Sequence, residues 1–119
     1  MEKEQKEALD QIKNVFEDGV ATINERDYKF TAMTHGERVK VFAYFSSIQH
    51  QIQCGNFSFL DDGKYKDIEK IIVQRVTFDG MQVSKLNDHW ETYPEDYIIF
   101  VTTALGVISY PFLRGTNGK

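Results

Sequence analysis

The chain has 119 residues, of which 41 % are hydrophobic and 27 % charged, a composition typical of a globular protein with one packed core. Its formal net charge is −4 and it has no stripe of Lys and Arg, which argues against a nucleic-acid-binding groove. The single cysteine, Cys54, excludes an internal disulfide and gives no metal-site spacing. We expect one globular domain over residues 1–113 and a flexible tail over residues 114–119.

The sequence gives no signal for export or membrane insertion. No apolar run follows Met1, so we expect no signal peptide. The longest apolar stretch, Tyr97 to Leu113, is interrupted by polar residues and Pro111, and is short for a bilayer span of about 20 residues. One unpaired cysteine also suits a reducing cytoplasm.

The first predicted element is a helix over residues 2–18, which Gly19 ends. Leu9, Ile12 and Phe16 fall on one stripe at helical spacing among charged and amide residues. Two interpretations of this stripe remain open. The helix lies on its own domain, or its apolar stripe docks on another chain.

A β-hairpin is predicted over residues 20–33. Val20–Ile23 forms its first strand and Tyr28–Met33 its second, since apolar and polar residues alternate there. The four polar residues Asn24–Asp27 form the turn, because Asn and Asp tolerate turn dihedrals.

A second helix is predicted over residues 35–53. Thr34 and Glu37 have the spacing of a capping box, in which each side chain binds the backbone N–H of the other residue. Gly55 follows the last turn as a C-terminal glycine cap.

Residues 64–83 are ambiguous between helix and strand. Helical spacing of apolar residues predicts a third helix over Lys64 to Val76, but its β-branched run also suits a strand. Asp79-Gly80 is a turn signal, and residues 76–78 and 81–83 on either side of it form a second small hairpin or an irregular loop.

The last helix is predicted from Pro94 to about Tyr110, because Pro suits a first helical position and Pro111 should stop the helix. It is apolar nearly all round, which predicts a central, buried position. We therefore expect an α+β fold, mainly helical, with about four helices and one or two small β-hairpins. The predicted core joins the second helix to the last one through Phe42, Phe45, Ile48, Val101, Leu105 and Ile108.

Few residues have the spacing of a catalytic or metal site. Asp88-His89-x-Glu91 is the best cluster, and we interpret it as a surface cap before the last helix rather than as metal ligands. Asp61-Asp62 is interpreted as a turn, because the other ligands of a calcium loop are missing. Cys54 is expected to have no histidine nearby and His50 to be solvated. We expect no enzyme activity, no metal and no cofactor.

Two segments resemble the tail assembly chaperones of long-tailed, HK97-like bacteriophages. They are YKFTAMTHGERVKVFAY, which contains the pattern T-x-G-x-R at Thr34, Gly36 and Arg38, and HWETYPEDYIIFVTTALGVISYPFL near the end. The resemblance implies a non-enzymatic, non-structural late protein of virion morphogenesis in the host cell cytoplasm. Its implied partners are the phage tape measure protein and the tail-tube protein, while the charge distribution and hydropathy given above lead us to expect no nucleic acid and no membrane. It also implies a longer product made by ribosomal frameshifting, for which the codons of Gly118-Lys119 can supply a slippery run.

A protein that keeps apolar-striped helices soluble must itself expose apolar surface. Aromatic residues in loops and at element ends exceed what a core of this size needs, which also predicts self-association. The predicted partner-binding residues are Leu9, Ile12, Phe16, Phe57, Phe59, Trp90, Tyr93 and Phe112.

Two other classes of protein stay open. A small acidic inhibitor or immunity-type protein would fit the size and charge, and acids clustered on one exposed face would favour it. A small hydrolase or metal enzyme would need His89 and two further ligands in one pocket. An exposed apolar groove would favour the chaperone.

Overall fold

The computed structural model describes residues 11–117, with side chains as far as Leu113. Residues 11–18 form helix α1, inside the predicted first helix, whereas Leu9 lies outside the described residues. The elements that follow are β1 (Val20–Ile23), β2 (Arg26–Phe30), α2 (His35–Gln53), α3 (Gly63–Gln74), β3 (Val76–Phe78), β4 (Met81–Gln82), α4 (His89–Thr92) and α5 (Pro94–Asn117). Short 3₁₀ turns cover Ser58–Asp61 and Val83–Lys85.

The predicted α+β, mainly helical fold is confirmed. The predicted hairpin and the second one, left open by the sequence, are both present, and they are joined into one antiparallel sheet of order β1-β2-β3-β4. The junction is the pairing of β2 with β3, where Tyr28 lies opposite Phe78 and Phe30 opposite Val76. A hairpin alone is marginally stable, so this pairing, which the sequence did not predict, strengthens both.

The first hairpin has a tighter turn than predicted. Asn24 and Glu25 alone form it, with φ of 50° and 68°, and Ile23 pairs directly with Arg26. Two successive left-handed residues make the turn type that matches the twist of the strands. The predicted turn Asn24–Asp27 is therefore two residues too long, and β2 ends at Phe30 rather than at Met33.

The ambiguity over residues 64–83 resolves into a helix followed by a hairpin. α3 ends at Gln74 rather than at Val76, because Val76 pairs with Phe30 as the first residue of β3. Asp79 and Gly80, with φ of 53° and 79°, form the predicted turn between β3 and β4.

The capping box at the start of α2 is confirmed. Thr34 Oγ1 accepts from the Glu37 backbone N–H, and a Glu37 carboxylate oxygen accepts from the Thr34 N–H, both at 3.1 Å. Arg75 at the end of α3 binds the same carboxylate at 3.0 and 3.1 Å. Hydrogen bonds from Arg75 and then Thr34 lower the pKa of Glu37. The cap thus also ties α2 to α3.

The predicted core between α2 and α5 is present. Phe45, Ile48, Val101, Leu105 and Ile108 are all buried. The sixth predicted residue, Phe42, is only half-buried and contacts Phe112, with ring centroids 4.9 Å apart.

Pro111 does not end the last helix, and the prediction that it would was wrong. α5 continues to Asn117, so residues 114–117 of the predicted flexible tail have helical backbone. Proline inside a helix costs about 3 kcal/mol. Continuation places Phe112 against Phe42 and Leu113 against the core. Partial burial of two large side chains stabilises the helix by a few kcal/mol, enough to offset that cost.

The length of α5 also revises the prediction on membrane spans. Pro94–Leu113 is a helical segment of 20 residues, long and apolar enough to cross a bilayer. The core helix of a globular domain has the same properties, and 50 % of this segment is buried within the described structure. Burial against α2 and the sheet accounts for the apolar residues on one face of this segment.

α1 packs closely on α5 at a glycine. A Cβ at Gly106 would lie 2.7 Å from Cδ1 of Ile12, so a larger residue there would make the Ile12 side chain shift. Farther along α1, the ring of Phe16 lies 5.2 Å from that of Tyr110. The described part of the first helix therefore lies on its own domain, as one of the two interpretations predicted.

Candidate functional site

A buried carboxylate, Asp96 in the first turn of α5, organises the main polar cluster of the described residues. Its side chain is fully buried and accepts from Arg26 Nε at 2.7 Å and from Arg26 Nη2 at 3.1 Å. Asn24 Nδ2 and the Tyr28 hydroxyl also donate to it, each at 2.7 Å. Glu95 extends the cluster through a second ion pair with Arg26. The first hairpin is thus tied to the start of α5.

His89 belongs to this cluster and is not the surface cap that the sequence predicted. The residue is 4 % exposed, and its Nε2 lies 2.8 Å from the Tyr28 hydroxyl oxygen. Since the hydroxyl donates its only proton to Asp96, Nε2 must carry a proton and donate to Tyr28. Burial lowers the pKa of His89, so the neutral ring is favoured.

Burial and hydrogen bonds together set the ionisation state of each group in this cluster. Burial alone would raise the pKa of Asp96, but hydrogen bonds from Arg26, Asn24 and Tyr28 together lower it. Burial, together with the bond to Asp96, raises the pKa of Tyr28 well above its ordinary value. The cluster therefore holds an ionised Asp96 beside a neutral Tyr28 and a neutral His89. Its geometry fixes the sheet on α5.

The other residues considered for catalysis or metal binding do not form a site in the described structure. Within residues 11–117, no three His, Cys, Asp or Glu side chains converge as metal ligands. Cys54 does have a histidine nearby, contrary to the prediction, since His50 Nε2 lies 3.6 Å from its sulfur. Both residues are exposed, as was predicted for His50. In the described structure no other side chain hydrogen-bonds to the His50 ring, as the orienting group of a catalytic base would.

The predicted partner-binding residues do not form one patch. Phe59 is 5 % exposed and belongs to the core, so it offers almost no surface to a partner. Trp90 and Tyr93 surround the ring of His89, with centroids 4.6 and 5.2 Å away. Phe57 and Phe112 are half-buried in other places. Contact of these residues with a partner stays a prediction.

Ile12 and Phe16, the remaining predicted residues, line two separate depressions on either side of α1. Ile12 lies in an open groove of about 440 Å³ between α1, β1 and α5. We call this space the α1–α5 groove. Its apolar lining consists of Ile12, Val15, Ala21, Ile23 and Ile99.

The α1–α5 groove continues onto an apolar surface of α5. Ile98 and Ile99 are 36 % and 45 % exposed, so α5 is not buried all round as predicted. The sequence contained a signal for this surface. The broad apolar stripe of α5 is wider than the face that α2 and the sheet cover.

The polar residues that line the α1–α5 groove are all neutral: Gln11, Asn14, Thr22 and Thr103. A groove that combines five apolar residues with neutral polar ones and has no charged lining suits the apolar face of an amphipathic helix better than an ion or a nucleic acid. No protein-family model, curated protein or solved structure matches this chain.

Proposed function

We propose that this protein is a non-enzymatic tail assembly chaperone of a long-tailed bacteriophage. It binds the tape measure protein and tail-tube subunits in the host cytoplasm while the tail assembles, and it self-associates through remaining apolar surface. The observation that carries the proposal is the α1–α5 groove together with exposed Ile98 and Ile99. An exposed apolar groove is the feature that distinguishes a chaperone for apolar helices from an acidic inhibitor.

The physical argument starts from the partner. A tape measure protein is a long chain of apolar-striped helices, which aggregate unless those stripes are covered. An amphipathic helix binds by placing side chains at positions i, i+3, i+4 and i+7 into an apolar groove. The α1–α5 groove offers Ile12 and Ile99 to such side chains, with Ile23 buried at its floor.

The alternative, an acidic inhibitor, would use a different surface. Asp79 and Asp88 line a groove of about 350 Å³ beside Met81 and His89. Both carboxylates are exposed and could meet a basic partner. The two proposals therefore place the binding surface at different residues.

The test is co-expression with the tape measure protein of the phage genome that encodes this chain. We expect the wild-type protein to raise the soluble fraction of the tape measure protein and to co-purify with it. Ile99→Glu places a charge in the groove and should abolish both effects. Val39→Glu is the matched control, since Val39 is 41 % exposed on α2 and does not line the groove.

Thermal unfolding of each variant is the control that tests whether its fold is intact. If Ile99→Glu protects the tape measure protein as well as the wild type does, the groove is not the binding surface. If binding of the tape measure protein survives Ile99→Glu but is lost in the double variant Asp79→Asn with Asp88→Asn, the acidic groove is the binding surface, as in the alternative proposal.

A further inference from the structure

A second space, on the other side of α1, has a different lining. It measures about 190 Å³ and lies between α1, the end of β2 and α5. We call it the Arg38 cavity. Its walls are mostly apolar, with Val15, Phe30, Met33 and Val107 among them, yet Arg38 and Arg75 also line it.

The two arginines of the Arg38 cavity are in different electrostatic situations. Arg75 is paired with Glu37, at 3.0 and 3.1 Å, so its charge is compensated. Arg38 has no carboxylate partner within residues 11–117. One of its Nη1 hydrogens goes to the Ile108 carbonyl at 2.8 Å, and its guanidinium lies 5.9 Å from the ring centroid of Phe16. The cavity therefore carries an uncompensated positive charge.

Arg38 is half-buried, so part of its guanidinium lies against the apolar walls, where pairing with an anion would offset the cost of desolvation. Burial lowers the pKa of Arg38, but an arginine stays protonated in proteins. A guanidinium has five N–H donors, and only one of those of Arg38 is engaged by the described residues. The remaining donors can take both oxygens of a carboxylate.

We propose that the Arg38 cavity binds a monocarboxylate with a small apolar body, the carboxylate on Arg38 and the body against Val15, Phe30 and Val107. The size agrees, because apolar cavities of about 150 Å³ admit a molecule as large as benzene. The inference does not depend on the proposed function, because the lining residues alone set the ligand class. Two sources share this chemistry, a free small carboxylic acid and an acidic side chain of a bound protein.

Benzoate is the probe, and benzamide is its neutral isostere. In an NMR titration of the full chain, we expect benzoate to shift the methyl signals of Val15, Met33 and Val107. Benzamide should bind at least tenfold more weakly, since it lacks the charge. Arg38→Gln keeps a donor for the Ile108 carbonyl and should weaken benzoate binding about tenfold, whereas Arg38→Lys should lose less.

A peptide distinguishes the two sources. Acetyl-Leu-Glu-Leu-amide carries only a side-chain carboxylate, and binding of both this peptide and benzoate would support a site for a protein partner. Binding of benzoate alone would support a site for a free acid. Equal binding of benzoate and benzamide, no binding of benzoate, or unchanged benzoate binding in a folded Arg38→Gln variant would overturn the proposal.

Discussion

Tyr28 provides a test of the Asp96 cluster because its hydroxyl can be removed without opening a cavity. Tyr28→Phe keeps the buried ring but deletes the bond to Asp96 at 2.7 Å and the bond from His89 at 2.8 Å. A hydrogen bond to a charged group contributes about 1.5–3 kcal/mol, and a buried donor left without a partner costs about 1–3 kcal/mol. We expect Tyr28→Phe to lose roughly 2–5 kcal/mol, a large part of the stability of a domain.

The matched control is the same chemical change at Tyr44. Its hydroxyl is buried and has no hydrogen-bond partner among the described residues, and burial raises its pKa to about 12. Tyr44→Phe removes a desolvated group that makes no bond, so it should leave stability unchanged or raise it by up to about 1 kcal/mol.

Urea unfolding, monitored by tryptophan fluorescence and circular dichroism, gives the free energy of unfolding of both variants and of the wild type. A loss of stability in Tyr28→Phe together with a gain in Tyr44→Phe would show that the hydrogen bonds of Tyr28, and not the hydroxyl itself, stabilise the fold. If Tyr28→Phe lost less than about 1 kcal/mol, or no more than Tyr44→Phe, the Asp96 cluster would not hold the sheet on α5.

Three further predictions concern stability. Leu105→Ala should lose roughly 2–5 kcal/mol in urea unfolding, because Leu105 is fully buried in the core, and a loss under about 1 kcal/mol would place it at the surface. Thr34→Ala should cost about 1 kcal/mol through loss of the N-cap, and an unchanged midpoint would contradict the capping box. Because the pKa of His89 is lowered in the folded state, the neutral ring contributes fully to the free energy of unfolding above the unfolded-state pKa of about 6.5. This contribution is lost as the pH falls toward the folded-state pKa. The urea midpoint should therefore decrease as the pH drops below about 6.5 in the wild type and in His50→Gln. In His89→Gln it should decrease less steeply.

Local signals in the sequence predicted the features that depend on neighbouring residues. The Thr34 capping box, the Asp79-Gly80 turn and the start of α5 at Pro94 each need only a few adjacent side chains. The apolar periodicity likewise placed most of the α2–α5 core correctly.

Features that depend on distant pairing were missed for a physical reason. Arg26 and Asp96 are 70 positions apart, and neither residue type signals burial on its own. Asp96 lies in the first turn of α5, where the helix dipole favours an acid, but its hydrogen bonds come from the first hairpin.

Pro111 shows how tertiary contacts override a local rule. Its local preference favours a helix end, but contacts of Phe112 and Leu113 favour continuation. The α1–α5 groove was only partly predictable. Periodicity placed Ile12 on an apolar stripe, but only the packing of α1 beside β1 and α5 shows which apolar residues remain open.

We propose that the α1–α5 groove receives amphipathic helices of the tape measure protein. The most direct measurement is an NMR titration of isoleucine δ1-methyl groups with a helical fragment of that protein. We expect the signals of Ile12, Ile23 and Ile99 to shift, while Ile68 and Ile71, which line a separate groove between α2 and α3, stay in place. Shifts at Ile68 and Ile71 with no change at Ile12 and Ile99 would contradict the claim, as would the absence of any shift.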